Sequence, residues 1–380
     1  MTELVQHVVS GAWPDWGGDE LGPRSVTFFR LLGEFRAVVA VDNVTLGPAI
    51  GGVRMRPEVT PGEVIRLARG MTLKCAAVGL PHGGAKAGIA APPWLDVRTK
   101  EALIRTFAVR IADLTDYWPG PDMGTDETAM AWVYDEIGRS VGRPAAIGGI
   151  PLDTLGATGY GLAICAEALE KSGRLEIDGA RIAVQGFGAV GRSVALQLHE
   201  RGARVVAVSD IEGAVTDPDG LDIAKLVDFQ HERPLNQFPG GTPMIRDELL
   251  GVPCDVLIPA AQPDVLNRAT AAQVRASIVL EGANIPATIE AEQMFAARNV
   301  LVVPDIIANA GGVICAAAES RGLTAAQAFA DITERLRAAM TEWLARTESG
   351  QAPRNAARTM AQERLQAATA YRRTFSASGQ

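Results

Sequence analysis

ARIAVQGFGAVGRSVALQLHERGARVVAVSD, residues 180–210, is the stretch that decides the fold. A short apolar run, ARIAVQ, leads into Gly186-Phe187-Gly188-Ala189-Val190-Gly191, and this turn opens a helical segment ending at Gly202. A second apolar run, ARVVAVSD, ends on Asp210, which is 210 − 186 = 24 residues past the first glycine. Strand, glycine-rich turn, helix and strand in that order make a βαβ unit. In such a unit GxGxxG lets the backbone approach a pyrophosphate, the helix N-terminus supplies N–H groups and positive dipole, and an acid about 20 residues on receives the adenosine ribose. The six turn residues and Asp210 are therefore expected to bind a dinucleotide, nicotinamide or flavin. GxGxxG alone is a weak signal, and a tight turn without a ligand is the competing reading. The preceding strand, the following helix and the spaced acid weigh against it.

Working outward, the alternation continues. ATGYGLAICAEALEKSG reads as an amphipathic helix stopped by Gly173, and CDVLIP, SIVLEGA and NVLVVPD are short apolar runs separated by helical stretches. Strands alternating with helices imply a parallel sheet with buried strands. Upstream lie two strand-like runs broken at Gly33-Glu34. Helices are expected at about 61–78, 97–114 and 125–140, the first capped by Thr60 with Glu63 as in a capping box. After residue 323 the chain reads as helical, with a second capping box at Thr324 and Gln327 and a last helix over roughly 353–372; the tail SASGQ is expected to be disordered.

The bulk composition removes several classes of function. The apolar fraction is 47% and the net charge −8, with no basic block, so nucleic-acid binding is not expected. No run is long enough to span a bilayer, and the N-terminus lacks a signal-peptide pattern. Four scattered cysteines (Cys75, Cys165, Cys254, Cys315) suit reduced thiols and a cytoplasmic location. The four histidines (His7, His82, His199, His231) show no ligand spacing, so no metal site is expected.

Lysine use is more informative. Basic residues are overwhelmingly arginine; the only lysines are Lys74, Lys86, Lys100, Lys171 and Lys225. Lys86 stands in LPHGGAKAGI, read here as a glycine-rich loop, with Lys74 twelve positions earlier in MTLKCAAVG. A desolvated lysine can lose its proton near neutrality, which arginine cannot. A lysine kept where backbone or ligand can approach closely is a candidate for base chemistry; the plain alternative is an incidental lysine in a surface loop.

With these pieces in place the chain resembles the glutamate/leucine/phenylalanine/valine dehydrogenase superfamily over about residues 45–320. GPAIGGVRM, MTLKCAAVGLPHGGAKAGI, GPDMGTDETAMAWVYDE, GATGYG, VQGFGAVG, CDVLIPAA, EGANIPAT and PDIIANAGGVI fall in the family's order, several closest to its glutamate branch. The resemblance implies an α/β fold of two domains. A mixed α/β substrate-binding and oligomerisation domain (1–152) precedes a Rossmann-type dinucleotide domain (153–322), and C-terminal helices (323–380) return to the first. It implies reversible oxidative deamination of an L-amino acid to a 2-oxo acid and ammonia, with NAD (NADP the open alternative), in a homo-oligomer (dimer, hexamer or octamer). Lys86 then matches the general base toward the water that attacks an iminium, with Lys74, on the preceding helix, binding the substrate α-carboxylate and lowering the pKa of Lys86. Asp122 matches the acid that shuttles a proton at the amino nitrogen. Gly51 and Gly52 match backbone that meets the substrate carboxylate, Thr158 and Asn284 contacts to the nicotinamide end, and Asn309 a neighbour of the amino group. Ala85 departs from a glycine common before the lysine, and His82 from an apolar residue.

Two departures bear on the substrate. Glutamate-specific relatives anchor the distal carboxylate with a lysine just before GG and a serine seven residues after the ANAGG asparagine; here these positions are Ile50 and Ala316. A substrate with an apolar side chain (leucine, valine, isoleucine, methionine or phenylalanine) is expected. Two alternatives stand: a glutamate dehydrogenase in which Arg54 or Arg321 supplies the anchor, and an inactive homologue serving as a regulatory subunit. Asp210, Glu212 and the lack of a basic residue in SDIEGAV favour NAD.

Overall fold

The computed structural model describes residues 21–230 and 233–371; His7, His231 and the tail SASGQ lie outside them. Chain order begins β1 (Ser25–Arg30), β2 (Arg36–Asn43), β3 (Ala49–Met55), α1 (Pro61–Ala77), β4 (Gly83–Ala90), α2 (Val97–Arg110), β5 (Tyr117–Pro121), α3 (Glu127–Ile137). These strands form a mixed sheet in the order β1-β2-β4-β3-β5, in which β3 runs parallel to both β4 and β5. Thr60 caps α1, its hydroxyl accepting from Glu63 N at 3.2 Å. The return half of the expected capping box is absent because the Glu63 carboxylate binds Arg54 and Arg56 instead.

LPHGGAKAGI is not a loop: from Gly83 it is β4, lying between β2 and β3. Its glycines answer to packing. A Cβ on Gly84 would stand 2.0 Å from Thr72 N in α1, and one on Gly83 1.8 Å from Asn43 O. The helix is pressed onto this strand, and side chains would hold it off.

The second half contains α4 (Ala157–Lys171), β6 (Arg181–Gln185), α5 (Ala189–His199), β7 (Arg204–Ser209), β8 (Ala214–Thr216), α6 (Ile223–Gln230), β9 (Thr242–Met244), β10 (Val256–Pro259), α7 (Arg268–Ala271), β11 (Ile278–Leu280), α8 (Ile289–Ala297), β12 (Leu301–Val303), α9 (Asp305–Ala308), α10 (Gly311–Ser320), α11 (Ala325–Glu348) and α12 (Pro353–Thr369). Its sheet has the order β12-β11-β10-β6-β7-β8-β9. The strands from β12 to β7 are parallel, as the alternation predicts, whereas β8 and β9 add an antiparallel edge. The capping box at Thr324 and Gln327 is complete. The C-terminal helices return to the first domain: Arg364 of α12 donates to Ala77 O of α1 at 2.7 Å. All four cysteines are buried and free, and among the described residues no helix is long and apolar enough to cross a membrane.

Candidate active site

A cleft of about 460 Å³ opens between the two sheets. On its first-domain wall three strands bring charged side chains together. Lys86 projects from β4, Arg54 from β3, and Asp122 follows β5. Lys86 Nζ lies 2.8 Å from Asp122 Oδ2, and Arg54 Nε lies 3.0 Å from the same oxygen. Arg54 also bonds Glu63 through Nη1 at 2.6 Å. Burial alone would raise the Asp122 pKa; Lys86 and Arg54 outweigh it and hold the carboxyl far below the usual range. Burial lowers the Lys86 pKa, with Asp122 opposing and Arg54 adding to the shift. Arg54 is thus a cation beside Lys86 additional to the Lys74 that the sequence reading names; alternation along β3 from the GG pair is the signal that could have found it.

Gly52 makes this meeting possible. A Cβ there would stand 2.8 Å from Asp122 Cβ and 3.1 Å from Lys86 Nζ. Gly51 is small for another reason: its Cβ would strike Ala85 O at 1.8 Å. Gly52→Ala is expected to fold and bind dinucleotide but to lose activity at least tenfold, since overpacking typically costs about 1–3 kcal/mol and falls here on Lys86 and Asp122. Steady-state kinetics beside a dinucleotide titration checks this; wild-type turnover would show the contact to be slack.

Across the cleft, Lys74 of α1 donates from Nζ to Asn284 Oδ1 at 2.7 Å. Asn309 Nδ2 donates to the same oxygen at 3.2 Å and to Gly282 O at 3.1 Å. Asn309 Oδ1 is buried without a partner among the described residues, an acceptor turned to a site that can receive N–H donors. Burial lowers the Lys74 pKa, with Asp305 opposing and Lys86 adding. Lys74, Lys86, Asp122, Asn284 and Asn309 all line this one cleft.

The dinucleotide motif lies along the same cleft. Gly186 has φ +96° and touches Ala261, Gly191 packs against Gly186 O, where a Cβ would stand 1.8 Å away, and Gly188 at the start of α5 faces open space. A turn at Gly186, an open cradle at Gly188 and close packing at Gly191 fit a pyrophosphate in the order expected. Ala189, Val190 and Thr158 line the cleft beside Gly188. The Phe187 side chain is core, 1% exposed, so only its backbone can serve a ligand. Asp210 directly follows β7, its Oδ1 accepting from Glu212 N at 2.8 Å and Gly213 N at 3.1 Å. The fold brings Arg246, paired with Asp247 at 2.9 Å, to a hollow beside this turn together with Ile211 and Glu212. The sequence reading finds no basic residue near Asp210, and Arg246 is the exception it missed.

The remaining wall of the cleft, beyond Lys74 and Lys86, includes Ile50, Val141, Leu152, Val313 and Ala316. Arg54 is committed to Asp122 and Glu63, and Arg321 pairs with Asp331 and does not line the cleft. Asp153 does line it, crowded by protein while keeping solvent access at the mouth; burial, Glu127 and then Asp122 raise its pKa to about 6. His82 bonds Pro48 O through Nδ1 at 3.0 Å and approaches Ser320 Oγ through Nε2 at 3.5 Å, away from Lys86. Among the described residues there is no cluster of three metal-ligating side chains.

Comparison with known proteins gives consistent matches. The family described as glutamate/leucine/phenylalanine/valine dehydrogenase matches residues 148–373, and its dimerisation domain matches residues 31–139. An NADP-specific glutamate dehydrogenase of Saccharolobus shibatae is 39% identical over 286 residues, 72% of this chain and 67% of that protein. Among solved structures, hetero-hexameric glutamate dehydrogenase from Thermus thermophilus in a Leu-bound form superposes with a TM-score of 0.86 at 32% identity, covering 93% of this chain and 91% of that one. Glutamate dehydrogenase from Peptoniphilus asaccharolyticus gives 0.75 at 26% identity, covering 92% of each.

Proposed function

This chain belongs to the glutamate/leucine/phenylalanine/valine dehydrogenase family, and on that premise we propose that it deaminates L-amino acids with apolar side chains, using NAD. It is an amino acid dehydrogenase acting on a CH–NH2 donor with a nicotinamide dinucleotide. The observation carrying the finer reading is the wall of Ile50, Val141, Leu152, Val313 and Ala316, with Arg54 already held by two carboxylates. A substrate carboxylate buried there unpaired would cost several kcal/mol, whereas an alkyl chain gains about 0.8 kcal/mol for each methylene buried. Asp153 at the mouth adds repulsion toward an acidic side chain above pH 6 or so. Glutamate remains the substrate that the relatives' names favour.

In this reading Lys74 receives the substrate α-carboxylate, and Asn309 Oδ1 accepts from its ammonium group. Gly188 at the start of α5 would hold a dinucleotide, with Thr158 and Asn284 toward its nicotinamide end, and the group would supply the hydride acceptor. Asp122 takes a proton from the amino nitrogen. Its neutralisation removes the anion that holds the Lys86 proton, so the ammonium releases that proton to water and the neutral Lys86 amine then takes one from the attacking water. The two groups therefore act in sequence through their 2.8 Å contact.

NAD follows from charge around the ribose end. Asp210 offers a carboxylate to ribose hydroxyls, and Glu212 and Asp247 offset Arg246 against a 2′-phosphate. We keep 1–152, 153–322 and 323–380 as the division of the chain, and propose a homo-oligomer formed through the region matched as a dimerisation domain. The test is a panel of kcat/KM values for leucine, valine, isoleucine, methionine, phenylalanine and glutamate with each cofactor. Apolar substrates with NAD are expected to lead. A preference for glutamate overturns the substrate reading, and a preference for NADP the cofactor reading.

A further inference from the structure

Away from the cleft surface, the densest knot of buried charge lies where α12 begins. Arg354 donates from Nη1 to Asp305 Oδ1 at 2.7 Å, from Nη2 to Glu281 Oε2 at 2.7 Å, and from Nε to Glu292. Glu281 is wholly buried and Asp305 nearly so. Three carboxylates meet one guanidinium, a fork suited to bridging them in a way lysine is not. Burial pushes the Glu281 pKa up, with Arg354 opposing and Asp305 adding. The turn into α12 is itself fixed, for the buried Trp343 donates to Pro353 O at 2.9 Å.

Asp305 carries the knot to the cleft. Its Oδ2 accepts from Ile285 N at 2.9 Å, and its own N–H donates to Glu281 Oε2 at 2.8 Å. Ile285 has φ +50°, a left-handed conformation that a β-branched residue adopts only when held. The preceding residue is Asn284, whose Oδ1 takes Lys74 Nζ. From the other side Arg364, also on α12, donates to Ala77 O at the end of the helix that bears Lys74. One helix therefore bonds both to the end of the helix that bears Lys74 and to the carboxylates that hold the segment bearing Asn284.

We propose that Arg354 is a positioning residue: by clamping Asp305 and Glu281 it holds residues 281–285 in the one conformation that presents Asn284 to Lys74, so α12 sets the amine at the substrate site. The part played by Lys74 rests on the function proposed above; the clamp does not.

The test is Arg354→Met, with Arg354→Lys beside it. Hydrogen exchange is expected to speed up over residues 281–286 while both sheets keep their protection. KM for the amino acid should rise on the order of 10- to 100-fold, as displaced positioning groups do, with kcat changing less. Arg354→Lys should restore little, lacking the fork. The kinetic effects of Arg354→Met and Asn284→Ala should be less than additive, because one acts through the other. Should Arg354→Met not fold, Asp305→Asn keeps the shape, removes the charge and carries the same readouts. Unchanged exchange over 281–286, or additive kinetics, overturns the inference. If the wild-type protein turns over no amino acid, the function reading fails, and the exchange result alone decides the clamp.

Discussion

Lys86→Arg is expected to fold, to bind NADH as the wild type does, and to lose about 10²–10⁴-fold in turnover, the usual worth of a general base. Arginine keeps the positive charge beside Asp122 but cannot give up its proton. Lys86→Ala should lose as much, and comparing the two separates loss of the base from loss of the charge. The pH profile adds a second check. Burial and Arg54 lower the Lys86 pKa, so its neutral amine becomes available at lower pH than an ordinary lysine's. Deamination by the wild type should rise with pH along a limb displaced below the lysine range, and the residual activity of Lys86→Ala should lack that limb. Near-normal turnover in the arginine variant would sink the assignment.

How much of this was legible beforehand depends on whether a residue's reason is local. The three glycines of Gly186–Gly191 each answer to their own turn, so GxGxxG with Asp210 could be read directly, and so could the box at Thr324 and Gln327. The glycines of β4 answer instead to close neighbours far along the chain, Gly84 to α1 and Gly83 to the end of β2, and glycine density there suggests a loop that the fold does not make. Glu63 has capping-box spacing, yet its carboxylate goes to arginines on β3 and beyond, a tertiary preference overriding a local one. Arg54 was read only as a possible anchor for a distal carboxylate; its pairing with Asp122 spans 68 residues and requires β3 to lie between β4 and β5. Lys74 and Asn284, 210 residues apart, meet only because the cleft joins two domains. The antiparallel edge of β8 and β9, short and partly exposed, gives no period strong enough to announce it.

Ile50→Lys combined with Ala316→Ser is expected to move activity toward glutamate. Both positions line the cleft, and Ile50 lies on the face of β3 that also carries Gly52 and Arg54, two and four residues on. The introduced ammonium would give a distal carboxylate the partner it lacks. A hydrogen bond to a charged group contributes about 1.5–3 kcal/mol, so kcat/KM for glutamate should rise roughly 10- to 100-fold, at 1.4 kcal/mol per tenfold. Leucine should lose in parallel, because its methyl groups would meet a charge that had to be desolvated. Without substrate the new ammonium is buried near Arg54, whose own carboxylates are taken, so a lower Tm is expected than for Ala316→Ser alone. That single variant, adding one hydroxyl and no charge, should shift the preference little and report on the position by itself. If the double variant folds and binds NADH yet gains nothing with glutamate while leucine activity stays, Ile50 and Ala316 do not face the substrate side chain, and specificity must be sought at Val141, Leu152 and Val313.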